Sequence, residues 1–164
     1  MNLVKIIIFI VAAVLIISAI YSRQENVEQA PWQPTATINN HNFVVEVIST
    51  ATEKEQGLSG REFLAEDNGM LFLYDTKEIR AFWMKDMRFD IDLLWINDQE
   101  IVGIEKLMTA PDPDTLYDDL AKYNSPQPVN RILEFPAGTI DKYSIQVGDI
   151  INFDIYDRNQ VEGN

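Results

Sequence analysis

The chain has 164 residues, enough for one domain of ordinary size, and its 46% hydrophobic and 24% charged residues suit a globular protein. It has no cysteine and one histidine, which excludes disulfides, thiolate metal sites and cysteine nucleophiles and argues against multi-histidine zinc sites and a Ser-His-Asp triad. The net charge of −13 argues against nucleic acid as a partner, because such binding begins with neutralising phosphates.

Ile6 to Ile20 is an apolar run interrupted only by Ser18, preceded by Lys5 and followed by Arg23, Glu25 and Glu28. Adding Leu3 and Val4, with Lys5 snorkelling, brings it to about 18–20 residues, enough to span a bilayer. Its exit, Ser18-Ala19-Ile20-Tyr21-Ser22, lacks a clean A-x-A cleavage pattern, and Tyr21 suits a membrane interface. The expectation for residues 1–23 is an uncleaved signal anchor, with a cleaved signal peptide as the alternative. The positive N-terminus stays in the cytoplasm. The domain then lies outside the inner membrane, held by a single pass, or is secreted to the periplasm after cleavage. Lys5 and Arg23 are the only charges before Gln24, so the body is more acidic than the whole chain. Anionic headgroups repel such a body, which is tethered to the lipid without lying on it.

Residues 24–34 are polar, carry Pro31 and Pro34, and read as a linker with Trp32 as its one large apolar group. A single domain is expected over 35–156 and a flexible polar tail over 157–164. Thr35–Ile38 and Phe43–Ile48 read as a hairpin turning at Asn39-Asn40-His41-Asn42, which puts His41 on an exposed turn. Thr52-Glu53-Lys54-Glu55 has the pattern of a capping box, opening a short helix that Gly57 ends. Strands follow at Met70–Tyr74, Ala81–Met84, Ile91–Ile96 and Ile101–Leu107, the last two joined by the turn 97–100. Residues 109–128 are loop-like, with a helical turn or two in 115–122. Ile132–Phe135 is a strand, Thr139–Tyr143 a short helix, and Ile150–Tyr156 the last strand.

About eight short strands without long helical crossovers favour antiparallel pairing. The expected fold is mainly β, a β-sandwich or irregular barrel, with two or three short helices.

Several groups of residues then occur in order: Gly57-Leu58 with Arg61, Gly69-Met70-Leu71-Phe72, Phe82-Trp83-Met84-Lys85, Ile91-Asp92, Leu133-Glu134 with Ala137-Gly138, and Val147-Gly148-Asp149. This set resembles the domain of unknown function 192 family, over roughly Val44 to Phe153. Phe-Trp-Met-Lys is its most specific mark. The resemblance implies a compact, mainly β domain, often exported or membrane-anchored, and brings no established activity. Two positions depart from the family pattern: Asp86 stands where an asparagine is usual, and Asp90 where a proline is usual.

If Ala81–Met84 is a strand, Phe82 and Met84 face one way and Trp83 and Lys85 the other. Trp83 beside Lys85, with Asp92 near and Arg61 as a further member, forms a candidate ligand patch, since a ring can stack on a sugar and a lysine can pair an anion. The bland alternative has Trp83 covering the sheet and Lys85 pairing with a neighbouring acid. Asp92 and Glu134, both in apolar stretches, are the one acid pair to nominate for acid–base work such as glycoside hydrolysis; a buried acid satisfied by Arg61 or backbone amides is the commoner alternative. The acidic loop Asp112–Asp119 lacks the glycine and final glutamate of a calcium loop, and Met70, Met84, Met87 and Met108 lack Met-x-Met clustering, so no metal and no cofactor is expected. The leading functional expectation is a membrane-tethered binding module of the cell envelope, for a small polar ligand, a glycan or an envelope protein. The alternatives are a carboxylate-dependent hydrolase of envelope carbohydrate and a structural or assembly protein.

Overall fold

The computed structural model describes residues 2, 10, 12, 13 and 32–156. The chain divides into two units, Met1–Trp32 and Gln33–Asn164. In the first, Ile10, Ala12 and Ala13 are helical; most of the expected anchor, the linker as far as Pro31 and the tail beyond Tyr156 lie outside the described residues. No helix among the described residues is long and apolar enough to cross a membrane.

The second unit is mainly β, built on short, near-continuous apolar runs such as Met70–Tyr74 and Ile91–Ile96. Its strands are β1 (Thr35–Ile38), β2 (His41–Ile48), β3 (Asn68–Glu78), β4 (Ala81–Trp83), β5 (Ile91–Asn97), β6 (Glu100–Met108), β7 (Lys122–Asn124), β8 (Val129–Pro136) and β9 (Asn152–Asp154). Two short helices, α1 (Ala51–Gln56) and α2 (Thr139–Lys142), and a 3-10 turn at Tyr117–Asp119 complete it. Seven strands form one sheet in the order β6-β5-β8-β3-β2-β1-β9, and β4 pairs with β7 in a separate ribbon. Every pairing is antiparallel except β2 with β3, the step that α1 bridges. The sheet curls until its ends meet. Glu100 bridges Ile150, and the Ile101 N–H donates to the Asp149 carbonyl. The result is an irregular barrel.

Period two sorts the strand residues onto two faces. Leu71, Leu94, Ile96, Leu133 and Phe135 fill the barrel together with Phe43, Ile140 and Ile151. Their neighbours Met70, Phe72, Leu93, Trp95 and Ile132 face outward, yet they are buried too. A second apolar layer covers them, built from Leu58, Met84, Met87 and Met108, with Phe82 and Tyr123 of the ribbon packed against it. Both faces of β5 are therefore dry, and six of its seven residues are buried, unlike the half-wet strands of a simple barrel.

Three local expectations are corrected. The capping box lies two residues upstream of Thr52: Thr50 Oγ accepts from the Glu53 N–H, and Glu53 Oε2 accepts from the Thr50 N–H at 3.0 Å. The first hairpin turns on Asn39 and Asn40 alone, both at positive φ (50° and 63°), the geometry of a two-residue turn. His41 is thus the first residue of β2, paired with Ile38 and stacked 4.0 Å from the Tyr143 ring; it does not sit on the turn. The last strand shrinks to Asn152–Asp154, because Ile150 is spent on the bridge that closes the sheet.

Candidate functional site

Two carboxylates predicted to work as a pair do not meet. In the β5–β8 register Asp92 lies opposite Phe135 and Leu93 opposite Glu134. Asp92 is therefore on the interior face of the sheet and Glu134 on the outer one, so no substrate can lie between them. Asp92 is buried and satisfied: Oδ1 accepts the Leu107 N–H and Oδ2 the Ile140 N–H, each at 2.9 Å. Glu134 is fully buried and neither of its oxygens has a hydrogen-bond partner. Burial pushes its carboxyl up to about 8, against the opposing pull of the Arg61 guanidinium. It stays protonated and neutral at neutral pH. Arg61 itself turns to Glu46, donating from both terminal nitrogens to both carboxylate oxygens at 2.7 and 2.8 Å. Asp92 and Arg61 thus leave the predicted ligand patch and serve as structural braces.

Trp83 and Lys85 do come together. The β4–β7 register sets Trp83 against Lys122 at the end of the ribbon. Lys85 follows in a tight turn, where the Lys85 carbonyl accepts the Ser59 hydroxyl at 2.8 Å and the Asp86 carbonyl accepts the Gly60 N–H at 2.8 Å. Asp86 is in the left-handed region (φ 54°), which asparagine and aspartate tolerate better than other side chains. That explains the residue type at this position: the backbone asks for a short polar side chain, and aspartate meets the demand while adding a charge. Asp90, the other departure, accepts the Ala110 N–H through its carboxylate and so ties the start of the long loop to β5.

The loop supplies a residue absent from the sequence-based patch. Asp112 accepts the Asp114 N–H through its side chain and the Thr115 N–H through its carbonyl, and the turn these make leads into the 3-10 turn. Tyr117 is thereby set edge-on to Trp83, with ring centroids 5.0 Å apart. Lys85 Nζ lies 5.3 Å from the Tyr117 ring, and Lys122 Nζ 5.8 Å from the Trp83 ring. Leu116-Tyr117, two large apolar residues in a polar, acidic loop, was the signal in the sequence. Its partner could not be read without the fold.

These residues line a cleft with two adjoining lobes that share Gln56, Ser59, Lys85 and Tyr117 in their walls. The wider lobe, about 940 Å³, runs between α1 and the Ala110–Leu120 loop. The narrower, about 260 Å³, runs under the ribbon and is walled by Phe72, Tyr74, Phe82 and Trp83. Among the described residues there is no cluster of histidine and carboxylate side chains that could hold a metal ion. The four methionines Met70, Met84, Met87 and Met108 are all buried in the outer apolar layer.

Fold and cleft together define a mainly β, curled-sheet domain with one covered face and an aromatic cleft at the edge of that cover. The chain belongs to the domain of unknown function 192 family, described as an uncharacterised ACR, whose pattern matches residues 34–153. At least two solved structures share the fold. One, from Sinorhizobium meliloti and provisionally assigned as a transcription regulator, is 27% identical; the match covers 74% of this chain and 92% of that one, with a TM-score of 0.64. The other, a protein of unknown function from Novosphingobium aromaticivorans, is 24% identical over 73% of this chain and 83% of that one, also with a TM-score of 0.64. No curated protein matches.

Proposed function

We propose that this protein is a ligand-binding module of the cell envelope, held at the inner membrane by its N-terminal segment, with the two-lobed cleft as its binding site. The observation that carries the reading is the meeting of Trp83 and Lys85 with Tyr117, from two segments distant in the chain, around a concave and partly apolar space. Concave sites with aromatic walls and a few polar groups are the usual form of small-molecule sites. The hydrolase alternative loses its support with the separation of Asp92 and Glu134. The regulator assignment of the S. meliloti relative is not carried over, because a chain of net charge −13 is poorly suited to neutralising phosphates. The apolar run Ile6–Ile20 behind Lys5 supports the tether and the orientation.

The test is the melting temperature of the full-length protein in detergent against sugars, cell-wall fragments, amino acids and nucleotides. A ligand at 100 times its dissociation constant adds about 2.7 kcal/mol. The shift should vanish in Trp83→Ala. Silence across the panel, with no hydrogen-exchange protection of residues 81–86 and 112–120 by envelope extract, rejects a binding cleft. Protease added to intact spheroplasts should remove the domain, and survival of the domain rejects the orientation.

A further inference from the structure

We infer that the narrow lobe of the cleft selects a small organic anion carrying one ring, such as an aryl carboxylate or a sugar acid. The inference rests on the cleft being the binding site and adds what the site chooses.

Most of the cations among the described residues are spent. Arg61, Lys77, Arg80, Arg88, Lys106 and Lys142 each pair with a carboxylate. Among the described residues, Lys54, Lys85, Lys122 and Arg131 form no ion pair with an acid. Three of these four gather at the ribbon, each near an aromatic face: Lys54 Nζ 4.4 Å from the Tyr74 ring centroid, Lys85 near Tyr117 and Lys122 near Trp83. Lys54 and Lys85 both line the narrow lobe, whose one acidic side chain is Glu55. In a chain with twice as many acids as bases, two lysines left without carboxylate partners beside an aromatic-walled space are placed to receive an anion from outside.

The acids set the size of that anion. The wider lobe is lined by Glu55, Asp86 and Asp112, and its second cation, Arg88, is already paired with Glu62. A polyanion running through both lobes would meet these carboxylates at close range, where like charges repel. A ligand with one anionic group and a compact body escapes this: the charge sits between Lys54 and Lys85, and the ring lies against Phe72, Phe82 and Trp83. A space of about 260 Å³ is enough for a single ring and its substituent. Glu53, next to Lys54 in the chain, takes up part of that lysine's charge, while acids more than about 8 Å away are screened at physiological ionic strength.

The experiment is isothermal titration of the full-length protein in lipid nanodiscs with phenylacetate and glucuronate, each beside its neutral counterpart, phenylacetamide or glucose, and with acetate as the ring-free anion. At least one ring-bearing anion should bind about tenfold or more tightly than its neutral counterpart and than acetate. The preference should vanish in the double variant Lys54→Gln/Lys85→Gln and persist in Arg131→Gln, which removes an unpaired cation elsewhere. Which of the two anions wins identifies the source of the ring. Equal binding of charged and neutral probes overturns the inference while the cleft stands as the binding site. If none of these probes binds but envelope extract still protects residues 81–86 from hydrogen exchange, the ligand class is wrong and the site right. If nothing protects those residues, both fail.

Discussion

Asp92 caps a helix to which it does not belong. Its Oδ2 accepts the N–H of Ile140, 48 residues away, at the first turn of α2. The residue in the N-cap position is Gly138, which has no side chain to offer. A carboxylate from β5 reaches across and supplies the missing acceptor, and its charge favours the positive end of the helix. Its other oxygen holds Leu107, which sits at a φ of 52° where the register of β6 against β5 shifts between Glu105 and Met108. One buried side chain therefore joins three elements.

Asp92→Asn should destabilise the fold by about 1–3 kcal/mol, because an amide of the same shape turns a donor toward at least one of these two N–H groups, of which that of Ile140 is buried. Urea unfolding should show a lower midpoint at unchanged slope. An unchanged midpoint would mean that the caps are not needed.

Glu134 predicts a pH dependence with a definite sign. Its carboxyl titrates near 4.5 in the unfolded chain and near 8 in the folded one. Between these values the native state keeps a proton that the unfolded state has released. Stability therefore falls as pH rises through that window, by at most about 1.4 kcal/mol per pH unit, and levels off above pH 8. Glu134→Gln removes this slope while keeping a polar group of similar shape. Denaturant midpoints at pH 5, 6.5 and 8 should show the variant gaining on the wild type at each step. Parallel profiles would show that Glu134 finds a partner on folding.

The position of the capping box separates two threonines that stand two residues apart. Thr50→Ala should cost about 1 kcal/mol, since it removes the side-chain oxygen that accepts the Glu53 N–H. Thr52→Ala, within the exposed first turn of α1, should change stability by less than about 0.5 kcal/mol. Thermal melts of the two variants decide it, and equal effects would remove the assigned cap.

Much of the fold was legible in local chemistry. The apolar runs Met70–Tyr74 and Ile132–Phe135, the paired asparagines at 39 and 40, and Gly57 behind a short polar helix each act within a few residues, so a linear reading reaches them. The shifted capping box shows where that reading weakens. Thr50 and Thr52 both stand three residues before a glutamate, and only the direction in which the chain leaves β2 selects between them. His41 was misplaced for a similar reason, because the turn closes on two residues and leaves the imidazole free to stack on Tyr143.

Of the candidate site, Trp83 and Lys85 were visible because they lie two residues apart at the end of one strand. Tyr117 and Lys54 were not, since each reaches the cleft from a different segment, nor was Lys122, which comes in beside Trp83 from β7. Composition and charge patterning by themselves determined that this is an acidic, cysteine-free, mainly β domain with an apolar segment ahead of it, because those properties are sums and local periods along the chain. The fate of each carboxylate was decided by tertiary structure alone. Asp92 and Glu134 look alike in sequence, each between large apolar residues, but strand register sends one to waiting backbone donors and the other to a layer that offers none. Register is a relation between strands distant in the chain, and a one-residue slip would exchange their faces.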